Sequence, residues 1–168
     1  MFRAVRKGSD PSAVYYALEH AHSLFVTTGE LEDLVRGAGQ DPSTDKNRLL
    51  AQGLLLGPQE IFATDGINGA YVASVEKGPE LWVDITEDDG VINTLGAGDA
   101  FLAGALKNPY VQRSREERAI RGSVSSSFAV ETTGAHDDPP TEEQLIVRMN
   151  ERTPRVKPLY DRGRVILV

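Results

Sequence analysis

Apolar and polar residues along this 168-residue chain follow two different periods. Apolar positions three or four residues apart, as at Val14, Leu18 and Ala21, predict amphipathic helices. Short β-prone runs such as SLFVTT predict buried strands. In chain order the patterns predict a helix over 11–22, a strand over 23–28, helices over 30–37 and 43–54, a strand over 59–66, a hairpin over 69–85, helices over 99–106, 114–131 and 141–150, and a strand over 164–168.

Capping patterns define several of these helix ends. Ser9 or Asp10 is available to cap the first helix. The pairs Ser114-x-x-Glu117 and Thr141-x-x-Gln144 match the capping box, in which the side chain of each residue accepts a hydrogen bond from the backbone N–H of the other. Alternation of strands and helices with one hairpin predicts an α/β layered fold with a mainly parallel sheet flanked by helices. Since the sequence shows no repeat or linker, we expect residues 1–168 to form a single domain.

Composition narrows the possible partners and location. Apolar residues make up 40% and charged residues 26% of the chain, which is typical of a soluble globular protein. The net charge of −7 argues against an extended nucleic-acid surface, which needs clustered Lys and Arg. With no cysteine, disulfides and thiolate metal sites are excluded. No apolar run is long enough to span a membrane, and the first residues lack the apolar core of a signal peptide. We therefore expect a cytoplasmic protein without membrane contact.

The string VINTLGAGDAFLAGAL differs from the rest of the sequence. Gly96 and Gly98 permit a tight turn, and the residues after them favour a helix, so the turn is expected at a helix N-terminus. Unpaired amides and the helix dipole make such an end suitable for binding an anion. Asp99 then has two interpretations: an acidic residue that stabilises the helix by about 0.3–1 kcal/mol, or a base beside a bound phosphate.

The longer string NTLGAGDAFLAGAL resembles the signature of the PfkB, or ribokinase-type, sugar kinases, which reads Asp-Thr-x-Gly-Ala-Gly-Asp-x-Phe-x-x-Gly. Three further segments are similar to that family in the same order: AHSLFVTTGELEDLVRG, GPQEIFATDGINGAYVA and RGSVSSSFAVETTGAHDDPPTEEQL. The resemblance extends from about Pro11 to Met149 and implies a ribokinase-like fold. The signature is matched at Thr94, Gly96, Ala97, Gly98, Asp99, Phe101 and Gly104.

The resemblance implies a kinase that uses ATP and Mg²⁺ to phosphorylate a hydroxyl of a sugar or nucleoside. Asp99 would be the general base, and the turn from Gly96 through Ala97 and Gly98, with the amide of Asp99, would be the anion hole. Glu30 would organise Mg²⁺ through water, and the helix over 116–131 would line the adenine pocket. The implied nucleotide-binding residues are Thr64, Gly66, Gly69, Thr94, Ser123 and Ser127. The run from Ser123 to Ser127 is equally well explained by close helix packing.

Three features depart from the family pattern. Asn93 stands where the family usually has aspartate, so it can keep hydrogen bonds but not the charge of a monovalent-cation site. Thr27 replaces the asparagine of the family's Asn-x-x-Glu motif, which leaves Glu30 as half of it. Nothing in the sequence resembles the family's early sugar motif, so the resemblance implies the C-terminal half of the fold, truncated at the N-terminus. A complementing N-terminal half or a second copy of the chain is then expected as a partner.

Three functions remain open at this point. The first is the sugar or nucleoside kinase. The second is a non-catalytic nucleotide-binding or interaction module that kept the fold without phosphorylating sugars. The third is an enzyme of the same superfamily that acts on a vitamin precursor or a hydrated nicotinamide cofactor.

Overall fold

A computed structural model describes residues 11–87, 89–107, 113–134 and 139–159. The expected cap at Ser9 or Asp10 and the expected strand over 164–168 lie outside these residues. The elements are α1 (Pro11–Glu19), β1 (Ser23–Thr27), α2 (Thr28–Gly37), α3 (Lys46–Leu54), β2 (Glu60–Thr64), a short 3₁₀ helix (Gly66–Asn68), β3 (Ala70–Ser74), β4 (Gly78–Val83), α4 (Ala97–Leu106), α5 (Arg115–Val130), α6 (Glu142–Glu151) and β5 (Val156–Pro158).

The predicted elements that fall within the described residues are present, although the first helix ends at Glu19 rather than at His22 and other bounds differ. The helix expected from Ser43 begins at Lys46, because the Asp45 side chain accepts the Arg48 N–H at 2.9 Å and defines the start of α3. The Ser43 N–H instead donates to the side chain of Gln52 at 2.9 Å. The short strand β5 was not predicted, since three residues are too few to show a period. Both expected capping boxes, which begin α5 and α6, are confirmed.

The five strands form one sheet in the order β1-β2-β3-β4-β5. β1 and β2 are parallel, with Thr27 opposite Thr64, and α2 and α3 lie between them in the chain. Only residues 65–69 separate β2 from β3, and 75–77 separate β3 from β4. Because a parallel crossover needs about a dozen residues, these pairs are antiparallel. The expected α/β fold is confirmed, whereas the parallel pairing expected for most of the sheet is found at β1–β2.

The described residues divide into two compact units. The first contains 11–65, 71–82 and 158–159, and the second contains 66–70 and the described part of 83–157. The core of the first unit is built mainly from the helices α1, α2 and α3 and the strands β1 and β2. Its fully buried side chains include Leu18, Leu31, Val35, Leu49, Leu50 and Ile61.

The second unit contains α4, α5 and α6 and an ion pair in which the arginine is buried and the glutamate is partly exposed. Arg121 of α5 is 5% exposed, and its Nη2 donates to both carboxylate oxygens of Glu142 at 2.7 and 2.9 Å. Lys107 Nζ lies 3.2 Å from the same carboxylate. Burial raises the pKa of Glu142, but the hydrogen bonds and charges of Arg121 and Lys107 outweigh it and hold that pKa below its ordinary value. The pair connects α6 to α5 directly.

Helix length and polarity in the described part of the chain do not fit a membrane span. None of its helices is both long and apolar enough to cross a bilayer.

Candidate active site

The signature turn ends in the left-handed conformation that its sequence predicts. Gly96 is the N-cap of α4 with φ of 86°, a region that side chains with a Cβ rarely occupy. The Gly96 carbonyl accepts the Ala100 N–H at 2.8 Å, which closes the first helical turn. The Ala97 N–H donates to the Thr94 carbonyl at 3.3 Å, so one of the three amides expected in the anion hole already has an acceptor. The amides of Gly98 and Asp99 are the ones that point out of the helix end.

Asp99 lies in the first turn of α4 and is exposed. Among the described residues, no side chain caps this helix end, and no atom lies within 4 Å of where a Cβ on Gly98 would stand. The turn therefore presents an open surface of amides with a carboxylate beside it. Amides at a helix N-terminus attract an anion, and an adjacent carboxylate can accept a proton. Thr94, two residues before Gly96, is exposed on the same loop.

The helix α5 packs closely against α4 through small residues. A Cβ on Gly104 would come within 2.6 Å of both the Arg121 carbonyl oxygen and the Ser125 Cβ. A Cβ on Gly122 would come within 2.9 Å of the Phe101 ring. Two residues of the signature, Phe101 and Gly104, therefore form the helix–helix contact rather than the exposed turn.

Serines of α5 connect the helix to its neighbours. The Ser126 hydroxyl donates to the Ala97 carbonyl at 2.8 Å. The Ser123 hydroxyl donates to the Asp84 carbonyl at 2.9 Å, and the Ser127 hydroxyl donates to a carbonyl of its own helix. Ser123 and Ser127 are 7% and 3% exposed. Close packing, one of the two explanations of this run, thus accounts for both residues, and nucleotide contact by them stays a prediction.

Sequence comparison decides the family. Residues 6–142 match the family of pfkB carbohydrate kinases. The chain belongs to the pfkB family. Its fold agrees with that assignment, because solved structures of ribokinase-type enzymes superpose on it. No curated protein sequence matches the chain.

Three of the solved pfkB-type neighbours illustrate the similarity. Ribokinase from Thermotoga maritima is 17% identical with a TM-score of 0.73, and the match covers 86% of this chain and 46% of that one. Ribokinase from Arabidopsis thaliana, complexed with ribose and ATP, is 21% identical with a TM-score of 0.70, covering 80% and 43%. Aminoimidazole riboside kinase from Salmonella enterica, complexed with aminoimidazole riboside and an ATP analog, is 22% identical with a TM-score of 0.68, covering 83% and 46%. This pfkB-family chain thus spans less than half the length of each, and the ribokinase-like fold is shown.

The segment from Thr64 to Gly69 contains three of the predicted nucleotide-binding residues. It begins in the first unit and continues in the second. Thr64 ends β2, and its hydroxyl donates to the Val26 carbonyl at 3.4 Å. Gly66 begins the 3₁₀ helix with φ of 58°, and no described atom lies within 4 Å of a Cβ placed there. Gly69 has φ of 86°, and its Cβ would overlap the Val83 carbonyl oxygen. Gly69 is therefore required by the fold itself, while Gly66 leaves open space for a ligand.

Glu30 has a structural role in the first unit. Thr27 is the N-cap of α2, and the two residues form a capping box in which Glu30 Oε2 accepts the Thr27 N–H at 2.8 Å. The sequence analysis did not detect this box, although the spacing Thr27-x-x-Glu30 was available. Nearby, the Thr28 hydroxyl donates to the Asp65 carboxylate, which lies 3.7 Å from Lys46 Nζ. The described residues contain no cluster of three or more His, Cys, Asp and Glu that could hold a metal by themselves.

Proposed function

We propose that this chain is the nucleotide-binding part of a kinase that transfers the γ-phosphoryl group of ATP to a hydroxyl of a sugar or nucleoside. The observation that carries the proposal is the exposed Asp99 carboxylate in the first turn of α4, directly after the left-handed turn at Gly96. Family membership supports the reaction class. The ribose and ATP bound to the Arabidopsis neighbour support the substrate class.

In this proposal the turn and the carboxylate have different tasks. The amides of Gly98 and Asp99 donate to oxygens of the transferring phosphoryl group, where negative charge is concentrated. The Asp99 carboxylate accepts the proton of the acceptor hydroxyl while the new oxygen–phosphorus bond forms and the bond to ADP breaks. Ala97 contributes less, because its N–H already donates to Thr94.

The nucleotide and its metal are assigned to the residues that the family resemblance implies. Thr64, Gly66 and Gly69 would contact the nucleotide phosphates, Thr94 would also contact the nucleotide, and α5 with Ser123 and Ser127 would line the adenine pocket. When bound, Mg²⁺ would supply positive charge that neutralises the phosphates. Mg²⁺ usually binds through one or two carboxylates plus phosphates and waters, and the oxygen donor Glu30 fits that chemistry as a contact through water.

Recognition of the acceptor is proposed to need more polypeptide than this chain. The chain spans less than half of its solved neighbours, whereas catalysis requires both reactants to be positioned together. We propose that a complementing N-terminal half or a second copy supplies the sugar-binding residues, and that the assembled enzyme acts in the cytoplasm.

The decisive experiment measures ADP release from MgATP with a panel of sugars and nucleosides, using this chain with and without the proposed complementing N-terminal half (the upstream polypeptide). Asp99→Asn should lower kcat about 10²–10⁴-fold, since removal of a general base has that effect. Asp41→Asn, which neutralises an exposed carboxylate in a loop, is the matched control and should keep full activity. Equal activity of the wild type and Asp99→Asn would refute Asp99 as the base.

A second candidate is a nucleotide-binding module without phosphoryl transfer. It is favoured by the internal hydrogen bonds of Ser123 and Ser127 and by the coverage of less than half of the neighbours. MgATP at 100 times its Kd would stabilise either protein by about 2.7 kcal/mol. Stabilisation without ADP release on any acceptor, in the presence of the upstream polypeptide, would select the module. Absence of any thermal shift with nucleotides would exclude both candidates.

A further inference from the structure

The C-terminal end of α5 leaves carbonyl groups that the helix itself cannot satisfy. The loop that precedes α4 supplies their donors. The N–H groups of Ile92 and Asn93 donate to the Val130 carbonyl at 2.8 and 3.1 Å. The side-chain Nδ2 of Asn93 donates to the Thr133 carbonyl at 3.0 Å. The end of one helix is therefore capped by the loop that leads into the signature turn.

The same side chain also reaches forward along the loop. Asn93 Oδ1 accepts the Leu95 N–H at 3.0 Å, on the residue directly before Gly96. After the turn, the Ser126 hydroxyl of α5 donates to the Ala97 carbonyl. The left-handed turn at Gly96 is thus connected to α5 on both sides, once through Asn93 and once through Ser126.

Only a neutral amide can make both contacts of Asn93. An aspartate could still accept from the Leu95 N–H, but it could not donate to the Thr133 carbonyl and would face it with a second acceptor. Its negative charge would also lie at the C-terminal end of α5, where the helix dipole is itself negative. An alanine would lose both hydrogen bonds. The aspartate therefore removes only the donor of Asn93, whereas the alanine removes both the donor and the acceptor.

We propose that Asn93 is a positioning residue for phosphoryl transfer: its donated and accepted hydrogen bonds fix the amides of Gly98 and Asp99 and the Asp99 carboxylate relative to α5. This inference rests on the proposed kinase function. Asn93 itself contacts no reacting group and acts through the turn. Small displacements of groups that stabilise a transition state have large effects on rate, while binding of the ground state changes less.

The kinetic test compares Asn93→Asp, Asn93→Ala and Ser126→Ala in the enzyme assembled with its upstream polypeptide. We expect Asn93→Asp to lower kcat by about 10- to 100-fold, as displacement of a reacting group does, with the KM for ATP changed less than about threefold. Asn150→Asp, which adds the same charge at the exposed C-terminal end of α6, should leave both constants unchanged. A wild-type kcat in Asn93→Asp overturns the proposal.

A test without turnover uses ¹⁵N-labelled protein and amide resonances. Amide exchange at Leu95 should accelerate in Asn93→Ala and remain slow in Asn93→Asp, because only the alanine removes the acceptor. The resonances of Gly98 and Asp99 should shift in both variants and in Ser126→Ala, but not in Asn150→Asp. Unshifted Gly98 and Asp99 in both Asn93 variants overturn the proposal whether or not the wild type is a kinase. Shifted resonances in a protein without turnover support the positioning role and refute only the kinase.

Discussion

Two glycines with the same φ show that glycine can be required at a position for different reasons. Gly69 and Gly96 both have φ of 86°. At Gly96 this conformation ends the signature turn and starts α4. At Gly69 it is combined with a close approach, because a Cβ would overlap the Val83 carbonyl oxygen. A glycine in a binding motif can therefore be a requirement of the fold, irrespective of any ligand.

The prediction at this scale concerns Gly69→Ala. We expect this substitution to destabilise the protein by about 2–5 kcal/mol, since overpacking of about 1–3 kcal/mol adds to about 1–2 kcal/mol for a left-handed Ala. Gly78→Ala is the matched control: φ is 70° and no described atom lies within 4 Å of its Cβ, so only the conformational cost applies. Urea unfolding of both variants measures the difference, and equal losses would show that the Val83 contact is unimportant.

Between elements, the small residues of α4 and α5 decide how closely the two helices approach. Gly104 faces the Arg121 carbonyl and Ser125, and Gly122 faces Phe101. The Ser126 contact to the Ala97 carbonyl depends on this close approach. Because Ala97 begins α4, the helix packing and the geometry of the signature turn are connected.

We predict that Gly104→Ala destabilises the protein although alanine favours a helix. Overpacking costs about 1–3 kcal/mol, which exceeds the gain of about 1 kcal/mol in helix propensity. Gly98→Ala in the same helix has open space for its Cβ, so its melting temperature should be equal to or higher than that of the wild type. It should instead weaken MgATP binding, because the methyl group occupies the space in front of the amides. If both variants have the wild-type melting temperature, the proposed packing constraint is wrong.

On the scale of the whole molecule, acid sensitivity depends on ion pairs that connect segments distant in sequence. The lowered pKa of Glu142 means that its contribution to stability is complete above the ordinary glutamate pKa and is lost as the pH falls through the lowered value. The Nε of Arg121 has no hydrogen-bond partner among the described atoms. If Glu142 is protonated or replaced, the buried Arg121 guanidinium retains a weak contact, in which its Nη1 lies 4.0 Å from Met149 Sδ.

Glu142→Gln should therefore destabilise the protein at pH 7 by about 1–2 kcal/mol. Breaking a fully buried pair costs about 3–5 kcal/mol, and the cost is smaller here because the Glu142 side chain is 45% exposed. The loss relative to wild type should shrink as the pH falls through the lowered pKa of Glu142, where the wild-type carboxylate itself becomes protonated. Glu143→Gln, in the same first turn of α6, is the control for the helix dipole. Denaturant unfolding between pH 7 and pH 3 tests both, and a pH-independent difference would contradict the assignment.

The sequence by itself determined most of the described elements and the family to which the chain belongs. Helical and strand periods, two capping boxes and the Gly96–Asp99 turn depend on neighbouring residues, so local patterns were sufficient to predict them. The expected single domain over 1–168 stays a prediction, for which one cooperative unfolding transition is the test.

Tertiary structure decided what the local patterns could not. The hairpin of β3 and β4 was predicted, but the pairing of β3 with β2 depends on which strands become neighbours. The overlap that requires Gly69 comes from Val83, and the burial of Ser123 and Ser127 comes from contacts with other segments. The hydrogen bond from Asn93 to the Thr133 carbonyl forms only when the end of α5 lies close to the loop before α4. These features depend on residues far apart in the chain, and spacing along a sequence carries no information about such distances.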